Sequence, residues 1–570
     1  VAFTSDFAHR TKENRKILDH LLHAAFSSDG SIEPEVDLVN DPDPPPERIQ
    51  QVLGRYPFED VPAAYGNLMA LATEKIRFLS TRRCRHFLAA IAPRLLAAIA
   101  ATPEPDTTLV NLSRVSDSLG GKAALWELFS SNRPSLNLYV TLCAACPYLA
   151  GILTSNPGMI DELMDSLLVE HLPTLEMLEE MLADLSRGAE DIDPILHSFK
   201  NAQHLRVGVR DVLGKDDVRS THEALSDVAE ACLRQIIAGE YSKLAEKFGE
   251  PTIIIPSESE PPTDGAQQLW QRFADREGDV CEPVVIALGK LGGREPNYHS
   301  DLDLIFLFEA GGNTLGQRRG ARASTTNAHF FSELGQRVIR MASHLGPHGR
   351  LYEVDARLRP MGKSGLLAVP IDALARYFSD GRGQLWERQA LCKARVVFGT
   401  PSASTYAMQV IEEAAFAPKW TPEFAKEIRS MRRKLQESAS RRNLKRGIGG
   451  TVDTEFLVQM LQLKYGGEDP SIRKPGTLDA LDALDAGGYL SSDDADYFRR
   501  SYRFLRSVEA RIRLMNAAGR HELPENDKDL GKLAYLLGYK DARDLEAEAE
   551  NIFAENRSRF DRLFDDAERS

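Results

Sequence analysis

The sequence predicts a mostly α protein with a small α/β core set between two helical blocks, and three observations carry that prediction. From about Ala63 to Gly249 apolar residues recur three and four apart, the spacing of one buried helical stripe. Near residue 284 the texture changes to short β-branched and aromatic runs bounded by turn residues, the signature of covered strands. From Pro422 to the end the helical spacing returns. A chain of 570 residues has room for roughly three to five domains. The expected boundaries are an N-terminal segment with a proline-rich linker over 1–62, a helical domain over 63–250, the α/β core over 251–400 and a C-terminal helical bundle over 401–570.

Each element has a local reason. Residues 30–46 end in Asp43-Pro44-Pro45-Pro46, and proline lacks the amide donor a helix needs, so a linker or loop is expected there. Leu88, Ile91, Leu95 and Ile99 form one apolar stripe, and Ser135–Leu153 and His222–Phe248 show the same spacing. Ser257–Gly265 is a Pro/Ser/Glu-rich breaker. Val284–Leu288 and Leu302–Phe308 are the clearest strands, and Leu351–Leu358 is a third. Between them lie a Gly- and Arg-rich loop over Gly311–Thr325 and a helix over Ala328–Leu345, with Phe330, Leu334, Val338 and Met341 on one face and Gly346 as its stop. Phe456–Tyr465, Ala495–Asn516 and Leu545–Phe564 are the C-terminal helices.

Composition excludes several classes. Hydrophobic residues at 42% and charged residues at 27% are ordinary for a globular chain and rule out wholesale disorder. A net charge of −14 argues against a nucleic-acid partner, since phosphate backbones reward dense positive charge. No apolar run approaches the roughly 20 residues of a membrane span, and no export signal opens the chain, so a cytoplasmic location and no membrane partner are expected. The chain starts at Val1 rather than Met, as a piece of a longer protein would. Of six cysteines only Cys143 and Cys146 form a C-x-x-C, and nothing nearby completes a zinc set.

The chemistry concentrates in Gly289-Lys290-Leu-Gly292-Gly293-Arg-Glu-Pro-Asn-Tyr-His-Ser300-Asp301-Leu-Asp303. Side chains alternate along a strand, so Asp301 and Asp303 point one way while Leu302 and Leu304 enter the core. Two like charges beside a buried run repel, and a divalent cation removes that cost. Mg²⁺ favours carboxylates combined with substrate phosphates. Gly292 and Gly293 let backbone amides approach a phosphate, and Ser300 adds a hydroxyl. In Tyr352-Glu353-Val-Asp355-Ala-Arg357-Leu-Arg359 the acidic face supplies a third carboxylate, Asp355, unless Asp355 simply pairs with Arg357. Three acids around such a turn describe two-metal phosphoryl or nucleotidyl transfer, with Lys290, Arg357, Arg359 and Lys393 available to neutralise phosphate charge. Asp453 and Glu455 fit either an interdomain contact to nucleotide or metal, or the positive N-terminus of a helix that follows Gly449-Gly450. The segment 421–446 holds nine Lys/Arg against three Asp/Glu, which suits either a solvated helix face or a rim facing the triphosphate.

Three long motifs in order make a family resemblance specific. They are G-K-L-G-G-R-E-x-x-x-x-S-D-L-D-L-I-F from Gly289, L-Y-E-V-D-A-R-L-R-P-x-G from Leu351, and W-E-R-Q-A-L-x-K-A-R-V-V-F-G from Trp386 to Gly399. Gly449-Gly450-Thr-Val-Asp453-Thr-Glu455-Phe456 adds a fourth match, and Phe78–Arg83 and Leu149–Leu163 extend the likeness upstream. Together they resemble the glutamine synthetase adenylyltransferase family, most closely its adenylylating C-terminal half. The resemblance implies a polymerase-β-like nucleotidyltransferase core and transfer of AMP from ATP to a tyrosine of glutamine synthetase. It also implies two Mg²⁺ ions on Asp301, Asp303 and Asp355, with Gly292, Gly293 and Ser300 at the phosphates. Glutamine synthetase and a nitrogen-sensing regulatory protein are the partners it implies. Rival expectations are the reverse reaction, phosphorolytic removal of AMP; a uridylyltransferase-like enzyme acting on a regulatory protein; and a non-catalytic binding module.

Overall fold

The computed structural model describes residues 33–75, 79–160, 171–254, 274–315, 324–516 and 519–569. The predicted breaker Ser257–Gly265, part of the loop over 311–325, and Phe78 and Asp161–Leu163 of the upstream motifs lie outside the described residues.

The proline-rich stretch corrects one expectation, because it is largely helical. Pro34 opens the helix Pro34–Asn40 and Pro46 opens the helix Pro46–Leu53. Each proline stands at the start of its helix, where an N–H has no intrahelical acceptor to lose. Val36, Leu38, Val39 and Leu53 enter the same apolar core as Leu68, Leu88 and Leu95. Residues 34–53 therefore belong to the first helical block.

Within that block the helix Thr81–Ala100 starts where the Ser80 side chain accepts from the Arg83 amide, and its predicted stripe of Leu88, Ile91, Leu95 and Ile99 is fully buried. The helix expected over Ser135–Leu153 is two, Arg133–Ala145 and Pro147–Ser155, bent by 107°. Pro147 cannot donate into the first of them, so the ladder breaks there. Cys143 and Cys146 are buried at this corner, and burial pushes both thiols up, as suits inert core residues. No single helix among the described residues is long and apolar enough to cross a membrane.

Two long helices, α1 (Asp193–Val212) and α2 (Val218–Phe248), lead to the sheet. Its strands are β1 (Pro283–Leu288), β2 (Leu302–Phe308), β3 (Val354–Asp355), β4 (Ala368–Pro370) and β5 (Arg395–Phe398). β1 is central and pairs antiparallel with β2 and β5; β2 pairs parallel with β3 and β4. All of β1 and all of β2 except Asp303 are buried, which explains their unbroken apolar runs. Helix α3 (Asn327–Ser343) packs on the sheet through Phe330, Phe331, Leu334 and Val338, and the helix Pro401–Phe416 packs on it through Ala403, Ala407 and Val410.

The C-terminal block contains α4 (Thr451–Tyr465), α5 (Ser492–Leu514) and a closing helix Ala542–Ala567. One apolar core runs from α2 through the sheet into α4 and α5, so the block is held rigidly against the strands that carry the acids.

Buried histidines line the seams between these blocks. Burial, then Lys200 and His299, push the His204 imidazole well below its usual range; burial and then Arg506 do the same to His222. A folded pKa below the unfolded value of about 6.5 means the neutral form is favoured in the fold. That contribution is complete above pH ~6.5 and is lost as pH falls below it, at up to ~1.4 kcal/mol per pH unit for each histidine. Between pH 7 and 5 the melting temperature is expected to fall, and to fall less steeply in His222→Gln. Parallel thermal melts of the two proteins check this, and identical slopes would refute it.

Candidate active site

The site is assembled at the point where β1 turns into β2. Gly289 follows β1 with a φ of +55°, and a Cβ there would lie 2.1 Å from Oδ2 of Asp303. Only glycine fits both demands, the left-handed backbone and the carboxylate against it. A single helical turn, Gly289–Gly292, then carries the chain away.

Strand pairing brings the acids together. Asp303 is in register with Leu288 on one side and with Asp355, in the parallel pairing, on the other. Paired residues share a sheet face, and Asp301, two positions before Asp303, shares it too. Burial, then the charges of Asp301 and Asp355, raise the Asp303 carboxyl to about 7. Asp301 is exposed at the mouth.

Asp355 is occupied by a local partner. Its carboxylate accepts from the Arg357 backbone amide at 2.9 Å and from the Arg357 guanidinium. That bond, ahead of every other influence, holds the Asp355 carboxyl below the usual range. The same contact explains why the strand expected over Leu351–Leu358 is reduced to Val354–Asp355: a side chain bonding the amide two residues on builds a turn instead of a ladder. Arg357 thus lies beside the acids, largely exposed. Arg359 is turned to the exit loop, where it donates to the carbonyls of Ala356 at 2.6 Å and Gly365 at 3.4 Å.

The other named residues have different surroundings. Lys290 donates to Glu455 at 2.5 Å and to the Tyr502 hydroxyl at 3.0 Å; burial lowers its ammonium to about 8, with Glu455 opposing. Lys393 donates to Glu295 and to Thr477 Oγ1, both at 2.9 Å. Both lysines therefore face buried partners of the turn and the C-terminal block, not the three acids. Gly292 packs under the Lys393 carbonyl, where a Cβ would come within 1.9 Å, and Gly293 under the Pro475 carbonyl at 2.9 Å. Their lack of side chains serves close backbone packing. Ser300 Oγ accepts from the Asn297 amide at 2.9 Å and from Arg513 at 3.1 Å, fixing the approach to Asp301.

Glu455 does cross from the C-terminal block to the core, through Lys290. Asp453 does not: fully buried at the start of α4, it accepts from the Gly449 amide at 2.8 Å and pairs with Arg432 and Arg557. Of the nine basic residues of 421–446, Lys426, Arg433, Lys434, Arg441 and Arg446 are exposed as on a solvated face, while Arg432 is buried, Arg429 is bound to Asp561 and Asp565, and Arg442 to Glu546. Lys445 is different. It is half-buried, makes no ion pair among the described residues, and its charge acts on Asp303. Lys363 acts similarly on Asp355, and the Asp301 charge acts on Arg513. Sequence reasoning missed Lys445, Lys363, Arg513 and Gly289 as individual site residues. For Gly289 a signal existed, a glycine at the end of an apolar strand; Lys445 arrives from the turn before α4 and Arg513 from α5, both distant along the chain, and carry none.

As placed, the described residues contain no ready cluster of three metal-ligating groups, since Asp355 is turned onto Arg357. The donor set nevertheless suits a hard divalent cation: three carboxylates on one face, with Asp303 raised by burial and by the charges of Asp301 and Asp355.

Residues 136–261 and 265–409 match the family model of glutamate-ammonia ligase adenylyltransferase, and residues 424–566 match that of GlnD PII-uridylyltransferase. Among curated relatives, the bifunctional glutamine synthetase adenylyltransferase/adenylyl-removing enzyme of Streptomyces coelicolor is 34% identical, over 79% of this chain and 41% of its own. The enzyme of that name from Pseudomonas putida is 30% identical, over 77% and 43%. That of Xanthobacter autotrophicus is 29% identical, over 94% and 52%. The chain spans about half the length of the curated relatives it matches.

Proposed function

The chain belongs to the glutamate-ammonia ligase adenylyltransferase family, and from that premise we propose that it transfers AMP from ATP to a tyrosine of glutamine synthetase at the face formed by Asp301, Asp303 and Asp355. The observation that carries this is the strand register that sets Asp303 beside Asp355, with Asp301 two residues away. A turn, a strand bearing Asp-x-Asp and a third acid on the neighbouring strand are the parts of a polymerase-β-like nucleotidyltransferase core.

Asp301 and Asp303, joined by Asp355 once it leaves Arg357, would hold Mg²⁺. Two such ions, when bound, polarise the phosphate oxygens and stabilise the attacking and leaving oxygens. The protein's own groups do the rest. Gly289 keeps space for the Asp303 carboxylate, and Ser300 and Arg513 fix the backbone beneath Asp301. Arg357, released from Asp355, is free to meet phosphate. The phenolic oxygen attacks the α-phosphorus, its bond to the bridging oxygen breaks, and pyrophosphate leaves. With Asp355 engaged as a cation ligand it is no longer a good proton acceptor, so the phenolic proton passes to water.

Lys445 is placed to meet the triphosphate as a point charge. In Lys445→Ala the KM for ATP is expected to rise about tenfold with a smaller change in kcat, in steady-state assays; an unchanged KM would remove Lys445 from the site. The C-terminal match to a PII-uridylyltransferase model supports a PII-type regulatory protein as a second partner and makes UTP the nucleotide to exclude. Incubating the chain and Mg²⁺ with unmodified glutamine synthetase plus ATP or UTP, and with adenylylated glutamine synthetase plus phosphate, decides among the reactions by mass spectrometry. Addition of AMP to a tyrosine in the first mixture is the expected result; modification only by UTP, or only removal of AMP, would overturn it.

A further inference from the structure

Behind the acids lies a second cavity, of about 410 Å³, between α1, α2 and the strands. Ser300 and Leu302 line it, and Leu302 occupies the sheet face opposite Asp301 and Asp303, so this cavity is separate from the carboxylate face. Its most unusual occupant is Lys200. The ammonium donates to the Leu351 carbonyl and sits 4.4 Å from the centre of the Tyr352 ring, yet no carboxylate pairs with it among the described residues. The acid at the rim, Glu353, is already bound to Arg350 at 3.0 Å.

Hydrogen-bonding capacity accumulates around that cation. Four residues that line the cavity carry a polar atom shielded from water and without a protein partner: His204 Nε2, Asn297 Nδ2, His299 Nε2 and the Tyr352 hydroxyl. The Tyr148 hydroxyl lies 2.7 Å from Nδ1 of His204. With that hydroxyl donating to the neutral ring, Nε2 carries the proton and is itself a donor. Asn297 Nδ2 is also a donor, and the tyrosine hydroxyl is able to donate. Buried polar atoms without partners are costly, and so is a buried ammonium without a counter-ion. Burial alone lowers Lys200 to about 8, so it remains largely charged at neutral pH. Leu225, Ala229 and Leu302 provide an apolar wall beside these donors.

We propose that this cavity binds a small organic anion, a carboxylate or phosphate whose oxygens meet Lys200 and the surrounding donors while a short carbon body rests on Leu225 and Leu302. The volume is within the range of small-molecule sites and too small for a peptide helix. The site stands apart from the AMP-transfer reading, because binding is measured without ATP or acceptor protein.

Isothermal titration of the whole chain with succinate, and separately with glycerol 3-phosphate, tests it against potassium chloride of equal ionic strength. At least one probe is expected to bind saturably, and which one does identifies the head group. Lys200→Gln should weaken that binding about tenfold or more, and Tyr352→Phe, which removes only the unpartnered hydroxyl, about threefold. Asp303→Asn should leave it unchanged. Absence of saturable binding for both probes would overturn the proposal. So would undiminished binding in Lys200→Gln or, if that variant does not fold, in Tyr352→Phe.

Discussion

Replacing Asp303 with Asn is expected to cut AMP transfer by a factor of about 10³ or more, equivalent to ~4 kcal/mol of barrier, while the fold is kept. The two halves of this result have one cause. Asp303 is the carboxylate that burial and two neighbouring acids raise to about 7, so its charge is a burden to the folded chain. Asn removes that charge with little change of shape. The melting temperature should therefore hold or rise as activity disappears, the pattern of a site kept for function at the expense of stability. A stability assay at pH 8, above the raised value, shows the gain best, since there the native carboxyl is ionised. Asp301→Asn with Asp303→Asn should behave alike, because the two acids act as a unit. Activity within tenfold of the parent would contradict the assignment.

The largest effect on stability is expected at Glu295, a residue that touches none of the acids. Its carboxylate accepts from Lys393 at 2.9 Å, from the Thr477 amide at 2.5 Å, and from the Tyr502 and Thr477 hydroxyls at 3.1 Å. The Arg506 guanidinium donates to its backbone carbonyl at 2.5 Å. Burial pushes this carboxyl up, but Lys393, Lys290 and Arg506 outweigh it and hold the group below the ordinary range. Glu295 thus ties the turn after β1 to α5 and to the start of the helix Thr477–Ala486. Glu295→Ala would leave Lys393 and Lys290 buried with too little compensating charge, costing ~3–5 kcal/mol in chemical denaturation. Adding Lys393→Met to that variant should return part of the loss, since the pair is coupled. A loss below ~1 kcal/mol would show that the network is not what holds the blocks together.

β1 and β2, the second of which carries Asp303 and follows directly on Asp301, were legible because burial on both faces writes an unbroken apolar run, and β2 coincides with the predicted Leu302–Phe308. The helix over 327–343 and its buried face were legible for the same kind of reason, a regular period. Prolines misled at 34 and 46, where position within the helix matters more than residue type. The third strand was overstated because alternation of charge and apolar residues in Glu353–Arg359 also fits a turn closed by Asp355 and Arg357. Lys290 and Lys393 were expected at the phosphates because a lysine is a point charge able to neutralise them; their partners, Glu455 and Glu295, come together with them only through tertiary folding. Lys445 and Arg513 were hidden by the same distance along the chain.

The central claim is that Asp301, Asp303 and Asp355 hold divalent cations beneath a nucleoside triphosphate. Titrating Mn²⁺ into the chain saturated with a non-hydrolysable ATP analogue, with the free ion followed by electron paramagnetic resonance against the analogue alone, measures it directly. The parent chain should take up about two ions beyond the baseline and Asp303→Asn markedly fewer; equal uptake by both would contradict the claim.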